Sequence, residues 1–159
     1  LRSLGAHCVR EFFHWSLKHI ASISSPVPPN IEHLIIRLCE LCHRQERGKR
    51  IGSCIALSNI YRDFRENDQI VSRFTLRVLK DILFSSCLIE REHIDTQNIS
   101  FHIVDKALTH YLRIISDPKH GNAALLSRPD SKRTGDDDVE NLDSFRQWIL
   151  SQITRDERQ

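Results

Sequence analysis

Apolar residues in this chain recur at intervals of three and four, segment after segment. The run from 48 to 68 shows the pattern best. Ile51, Cys54, Ile55, Leu57, Tyr61 and Phe64 fall on one side of a helix. Lys49, Arg50, Arg62, Asp63, Arg65 and Glu66 gather at its ends and on the opposite side. That spacing specifies an amphipathic helix with a wide buried stripe. A chain made of such helices must bury each stripe against another helix, so the fold is all-α.

Four further segments read the same way, with breaks between them. Residues 4–24 carry Leu4, Cys8, Val9, Phe12, Phe13, Trp15, Ile20 and Ile23, and the proline-rich run at 26–29 ends the helix. Asn30 is a good N-cap for a second helix to about residue 45, with Glu32 in its first turn, and Gly48 breaks the pattern. Asn67 and Asp68 offer caps for a helix over 69–90. Asp95 or Thr96 caps another to residue 116, whose expected buried positions are Ile99, Ile103, Val104, Leu108, Leu112 and Ile115; Asp117-Pro118 stops it. Period-two alternation is absent.

Residues 118–140 differ in composition. They hold Gly121, Pro129 and Gly135, basic Arg128, Lys132 and Arg133, and the run Asp136-Asp137-Asp138, without periodic apolar residues. A flexible charged loop is expected there. A further helix with Leu142, Phe145, Trp148, Ile149 and Ile153, then a charged tail, occupies 141–159. Residues 1–117 form the repeat region proper. Amphipathic helices joined by short breaks stack as antiparallel hairpins in a HEAT- or armadillo-like α-solenoid, with a closed helical bundle as the alternative. The broad stripes favour the solenoid slice, whose end helices expose apolar faces that neighbouring repeats cover.

Composition narrows the function classes. A net charge of +2 and a pI near 8.4 are too mild to imply nucleic-acid binding alone. No apolar run reaches the ~18 residues of a membrane-spanning helix. The five cysteines are an odd number, mostly at apolar helix positions, which suits reduced thiols in cytosol or nucleus. The chain lacks Met and opens on Leu1-Arg2-Ser3, as an internal piece of a longer protein would.

Candidate chemistry is sparse. Cys39-x-x-Cys42-His43, with His33 nearby, is the one metal-like grouping, but its cysteines sit mid-helix beside Leu38 and Leu41 and read as small core residues. Nine histidines are scattered, and no nucleophile elbow, His-Glu-x-x-His or phosphate loop accompanies them, so neither catalytic nor cofactor-binding nor metal-binding residues are assigned. Arg44, Arg47, Lys49 and Arg50 cluster around one turn. They suit contact with phosphates or an acidic partner; the helix dipole alone explains cations at Arg44 and Arg47. Thr134 precedes an acidic run, Ser151 precedes Gln152 and Thr96 precedes Gln97, which are short matches to phosphorylation sites.

Arg50 with Ala56-Leu57 fits the second helix of a HEAT repeat, and the whole run KRIGSCIALSNIYRDFREND at 49–68 resembles the helical-repeat scaffold of phosphatidylinositol-3-kinase-like serine/threonine kinases. Phe13-x-Trp15-x-x-Lys18 upstream extends the likeness, as do Ile103 to Leu108, Leu112 to Ile115 and Leu142 to Leu150 downstream. The loop at 119–140, with its acidic run, departs from the family pattern. The resemblance implies a nuclear parent acting in non-homologous end joining. Such a parent is recruited to DNA ends with the Ku heterodimer and phosphorylates Ser/Thr-Gln sites using ATP and magnesium. None of the family's kinase motifs occurs in this chain, so no catalytic residue and no ATP or magnesium ligand carries over. The expected role is a strut that packs on neighbouring repeats of the same parent. A repeat segment of another large nuclear or cytosolic scaffold is the alternative.

Overall fold

A computed structural model describes residues 1–19, 27–89, 94–119 and 145–151. Five α-helices follow in order: α1 (Arg2–Lys18), α2 (Pro29–Cys42), α3 (Arg47–Arg65), α4 (Asp68–Cys87) and α5 (Ile94–Ser116). Residues 145–151 are also helical, and no strand occurs among the described residues.

The helices pack in two layers. One holds α1, α3 and α5 side by side, with α3 between the other two, and the second holds α2 and α4. Sequential helices alternate between the layers, as in stacked helical hairpins. The fold is thus an all-α repeat segment, and α3 is its central member, packed against all four other helices. Ile51, Cys54, Leu57, Ile60 and Phe64 give α3 one continuous buried face. Ile31, Ile35, Leu38 and Cys42 from α2 and Ile70, Val71, Phe74, Val78, Leu79 and Ile82 from α4 fill the space between the layers.

Local chemistry sets the helix ends, and several differ from the sequence expectation. Asn67 caps α4 as expected: its side-chain oxygen accepts from the backbone N–H groups of Gln69 and Ile70 at 3.1 Å. Asn30 does not cap α2. Pro28 takes that position, with Pro29 opening the helix, and Asn30 instead donates its side-chain N–H to Ser16 Oγ of α1 at 2.9 Å. Helix α2 ends at Cys42, short of 45. Gly48 does not break the chain either. It lies in the first turn of α3, where the Lys49 and Arg50 amides both donate to Glu46 O; a first-turn position forgives glycine better than a helix interior does.

The largest difference concerns which faces are buried. In α1 only Ala6, Phe13 and Ser16 are fully covered, while Leu4, Phe12 and Trp15 are 64%, 44% and 56% exposed. In α5 the buried face is Ser100, Val104, Ala107, Tyr111 and Ile114; Ile99 and Leu112, expected inside, are 60% and 47% exposed. The reason is the layer order. Helices α1 and α5 stand at opposite ends of a three-helix row, so none of α1–α5 covers the outer side of either. Expected core positions Ile20 and Ile23, the caps Asp95 and Thr96, and residues 120–140 of the expected loop lie outside the residues or side chains described. Of the last expected helix, 145–151 is described, with Phe145 packed on the core.

Candidate functional site

The basic turn between α2 and α3 is built largely from structural contacts. Arg50 is 2% exposed, although it is a charged residue near a helix start. Its Nη1 donates to the carbonyls of Arg44 at 3.0 Å and Gln45 at 3.2 Å, tying the connecting segment to α3. Arg47 Nε donates to Ser100 Oγ of α5 at 3.0 Å, so it joins neighbouring helices of one layer. Lys49 Nζ lies 3.0 Å from Glu46 Oε1 at the surface, and Arg44 is exposed. The four residues expected as a unit therefore point to different places, and Arg44 and Lys49 are the two on the solvent side. Thr134 lies outside the described residues. Ser151 is exposed and donates its hydroxyl to Trp148 O at 2.7 Å.

The thiol cluster is sealed in the core. Cys39 and Cys42 are buried, with Cys54 of α3 beside them. Ser53 Oγ lies 3.3 Å from Cys42 Sγ and donates to Leu38 O, and Ser85 of α4 donates to Cys42 O at 2.9 Å. Burial pushes the Cys39 thiol well above its ordinary range. The contact between Cys42 and Cys54 lowers the first thiol and, with burial, raises the second. These groups serve as small packing elements whose polar neighbours satisfy one another. Among the described residues no three His, Cys, Asp or Glu side chains are placed to hold a metal ion. No described helix is long and apolar enough to cross a membrane.

His43, at the exposed end of α2, bonds through Nε2 to Asp81 Oδ1 of α4 and stacks on Phe84 at 4.4 Å. The hydrogen bond to the Asp81 carboxylate holds the imidazole above its ordinary 6.5, against the opposing pull of burial. A raised folded-state value means that protonation favours the folded form. The stabilisation is complete below the unfolded value and is lost as pH rises through the folded one. Denaturant melts should therefore show the stability advantage of the wild-type chain over Asp81→Asn shrinking as pH rises above the ordinary histidine value of about 6.5. A constant difference would place the contribution of Asp81 elsewhere.

Ser58 Oγ lies 3.0 Å from His110 Nδ1, a contact that joins α3 to α5. A serine nucleophile needs a base that is itself oriented by a third group. No Asp or Glu is among the residues lining the groove at this pair, so the arrangement lacks the orienting carboxylate. That groove, of about 490 Å³, runs across the α1–α3–α5 layer and is lined by Arg10, Arg62, Arg65 and Arg113. Sequence reading missed it, because each arginine alone looks like part of a solvated helix face. The available signal was a shared spacing: His7-x-x-Arg10, Asn59-x-x-Arg62 and His110-x-x-Arg113 put a polar residue and an arginine one turn apart on each of the three helices.

Comparison with known proteins gives these features a context. Residues 1–158 match the family model described as DNA-dependent protein kinase catalytic subunit, CC1/2. The catalytic subunit of DNA-dependent protein kinase from Gallus gallus is 34% identical over 127 residues, which is 79% of this chain and 3% of that protein. The Xenopus laevis protein of the same description is 33% identical over 117 residues, 72% of this chain and 3% of that protein. The Mus musculus one is 31% identical over 122 residues, 76% of this chain and again 3% of that protein. This chain thus spans about 3% of the length of the curated relatives it matches. No solved structure matches it. The chain belongs to the CC1/2 family of the DNA-dependent protein kinase catalytic subunit.

Proposed function

We propose that this chain is a non-catalytic scaffold segment of a DNA-dependent serine/threonine kinase, serving to pass rigid shape from repeat to repeat. The observation that carries this reading is the apolar ridge on α1. Leu4, Phe12 and Trp15 share a helix face with Leu1 and Cys8 and stand in solvent at one end of the α1–α3–α5 row. Monomeric proteins seldom leave large aromatic side chains contiguous and exposed, and such patches mark interaction surfaces. In a repeat array each unit contacts its neighbours and rigidity is transmitted through those contacts. The neighbour here is the preceding repeat of the same parent, and Phe101 and Leu112, which share one flank of α5, offer the following one an apolar surface.

The activity of the parent follows from family membership as part of the same proposal. ATP and magnesium act at a kinase domain elsewhere in the parent, which works in the nucleus on double-strand breaks by non-homologous end joining, with the Ku heterodimer at DNA ends. This segment supplies no group to that chemistry. Its contribution is coupling between DNA-end engagement and the kinase domain, through packed helices that move as bodies.

The test is made in the full-length protein. Phe12→Glu with Trp15→Glu places two charges in the inter-repeat contact. Stimulation of Ser-Gln peptide phosphorylation by Ku-bound DNA ends is expected to fall about tenfold, a typical loss of coupling between sites, with ATP binding retained. Unchanged stimulation would sink the reading. Loss of ATP binding with the kinase domain still folded would assign the segment to the catalytic machinery instead.

A further inference from the structure

We propose that the groove across α1, α3 and α5 is a binding site for a phosphorylated serine or threonine carried on a polypeptide. Three successive helices of one layer each contribute an arginine: Arg10 from α1, Arg62 from α3 and Arg113 from α5. Arg65, one turn beyond Arg62, adds a fourth. All four line one volume of about 490 Å³; no carboxylate is among its lining residues, and Arg10 Nη1 lies 3.9 Å from Glu11 Oε1 at the surface. Like charges lining one groove repel one another, and an anion that entered would relieve that repulsion.

The chemistry of the lining selects the kind of anion. Guanidinium groups present forked donors that match phosphate oxygens two at a time. A phosphomonoester on Ser or Thr carries roughly −1.5 to −2 charge and three acceptor oxygens at one point. Several arginines lining one groove suit such a point charge, and arginine clusters are a recurring means of reading phosphorylated peptides. A nucleic-acid backbone instead spreads single charges along a strand. Single-stranded nucleic acid is also gripped by stacking its bases on aromatic rings. Tyr61, the one such ring in the lining, is already stacked on His110 at 4.5 Å with 12° between planes, and the Arg65 guanidinium lies 5.5 Å from its centroid. Those contacts fix Tyr61 as a support for Arg65 and leave the arginines to do the recognition.

His110 sits among these cations. Burial, then Lys106 and Arg113, hold its imidazole below the ordinary 6.5, so it is neutral at physiological pH and adds no charge to the groove. The selectivity of the site therefore rests on its arginines.

Fluorescence anisotropy on the full-length protein tests this with a labelled phosphothreonine peptide, its unphosphorylated counterpart and a duplex DNA of similar length. Arg62→Gln with Arg113→Gln is expected to weaken phosphopeptide binding by about tenfold or more, since each removes charge-assisted bonds to the phosphate. The unphosphorylated peptide should bind weakly and equally to both proteins. Arg62→Lys with Arg113→Lys keeps the charge and removes the fork, and should fall between; it also guards against misfolding of the glutamine variant. Arg146→Gln, on the segment at 145–151 and not among the groove's lining residues, should bind as wild type. Phosphopeptide binding within twofold of wild type in both double variants would overturn the proposal. So would an equal loss of DNA binding, which would make the groove a nucleic-acid contact. Inorganic phosphate that displaces the peptide at concentrations matching the peptide's own affinity would overturn the polypeptide as the ligand.

Discussion

Replacing Arg50 by alanine is expected to destabilise this chain by about 3–5 kcal/mol, although the substitution removes a charged residue from the start of a helix. An exposed arginine there would cost almost nothing. Arg50 is instead among the largest fully buried side chains, and its guanidinium holds two carbonyls of the segment joining α2 to α3. Alanine would leave both carbonyls without that donor and open a void where the side chain's long stem was packed. For a chain of this size each kcal/mol shifts the melting temperature by roughly 2–4 °C, so a drop of about 6–20 °C should appear in a thermal melt. Methionine fills the volume without the donors and should recover part of the loss. A melting temperature within a degree of wild type in the alanine variant would show that the link is held by something else.

The second large effect concerns association. Among the described residues, apolar side chains stand exposed at both ends of the three-helix row: Leu4, Phe12 and Trp15 on α1, and Phe101 and Leu112 on α5. Burial of apolar surface releases roughly 25 cal/mol for each Å² removed from water, and two such faces meeting would cover several aromatic and branched side chains at once. The isolated chain should therefore self-associate at micromolar concentration and melt broadly. The faces differ in composition and lie at opposite ends of the row, so the contact is head-to-tail, and such contacts need not close into a dimer. Phe12→Glu with Trp15→Glu should return it to a monomer in sedimentation-velocity runs, with little loss of stability, because both side chains are already exposed. Persistent oligomers in that variant would locate the association surface elsewhere.

How far the sequence carries depends on what each feature requires. The helices were legible because three-and-four spacing is a local property, and Asn67 as the cap of α4 was legible for the same reason. The wide stripe of α3 was legible for the same reason, and its central position came with the packing. The buried faces of α1 and α5 were not legible. Apolar residues occupy two sides of each helix, and only the position of the helix at an end of the row decides which side this chain covers. Arg50 reads as a surface cation, since nothing local says that two carbonyls will fold back over it. Asn30 has the chemistry of a cap, but Pro28 and Pro29 set the backbone one residue earlier. The arginine groove is the clearest case of a non-local feature. Its four arginines come from three helices far apart in the chain, and they become a site only when those helices lie side by side.

The packing surface on α1 is also what most directly distinguishes a strut in a larger stack from a free-standing helical domain. Hydroxyl-radical footprinting of Trp15 in the full-length protein, with N-acetyltryptophanamide in the same sample as the exposed reference, measures whether that surface is covered. The expected result is oxidation of Trp15 suppressed several-fold beyond what its 56% exposure in this chain alone would allow. Oxidation at the rate of a half-exposed indole would contradict the stacked-repeat reading.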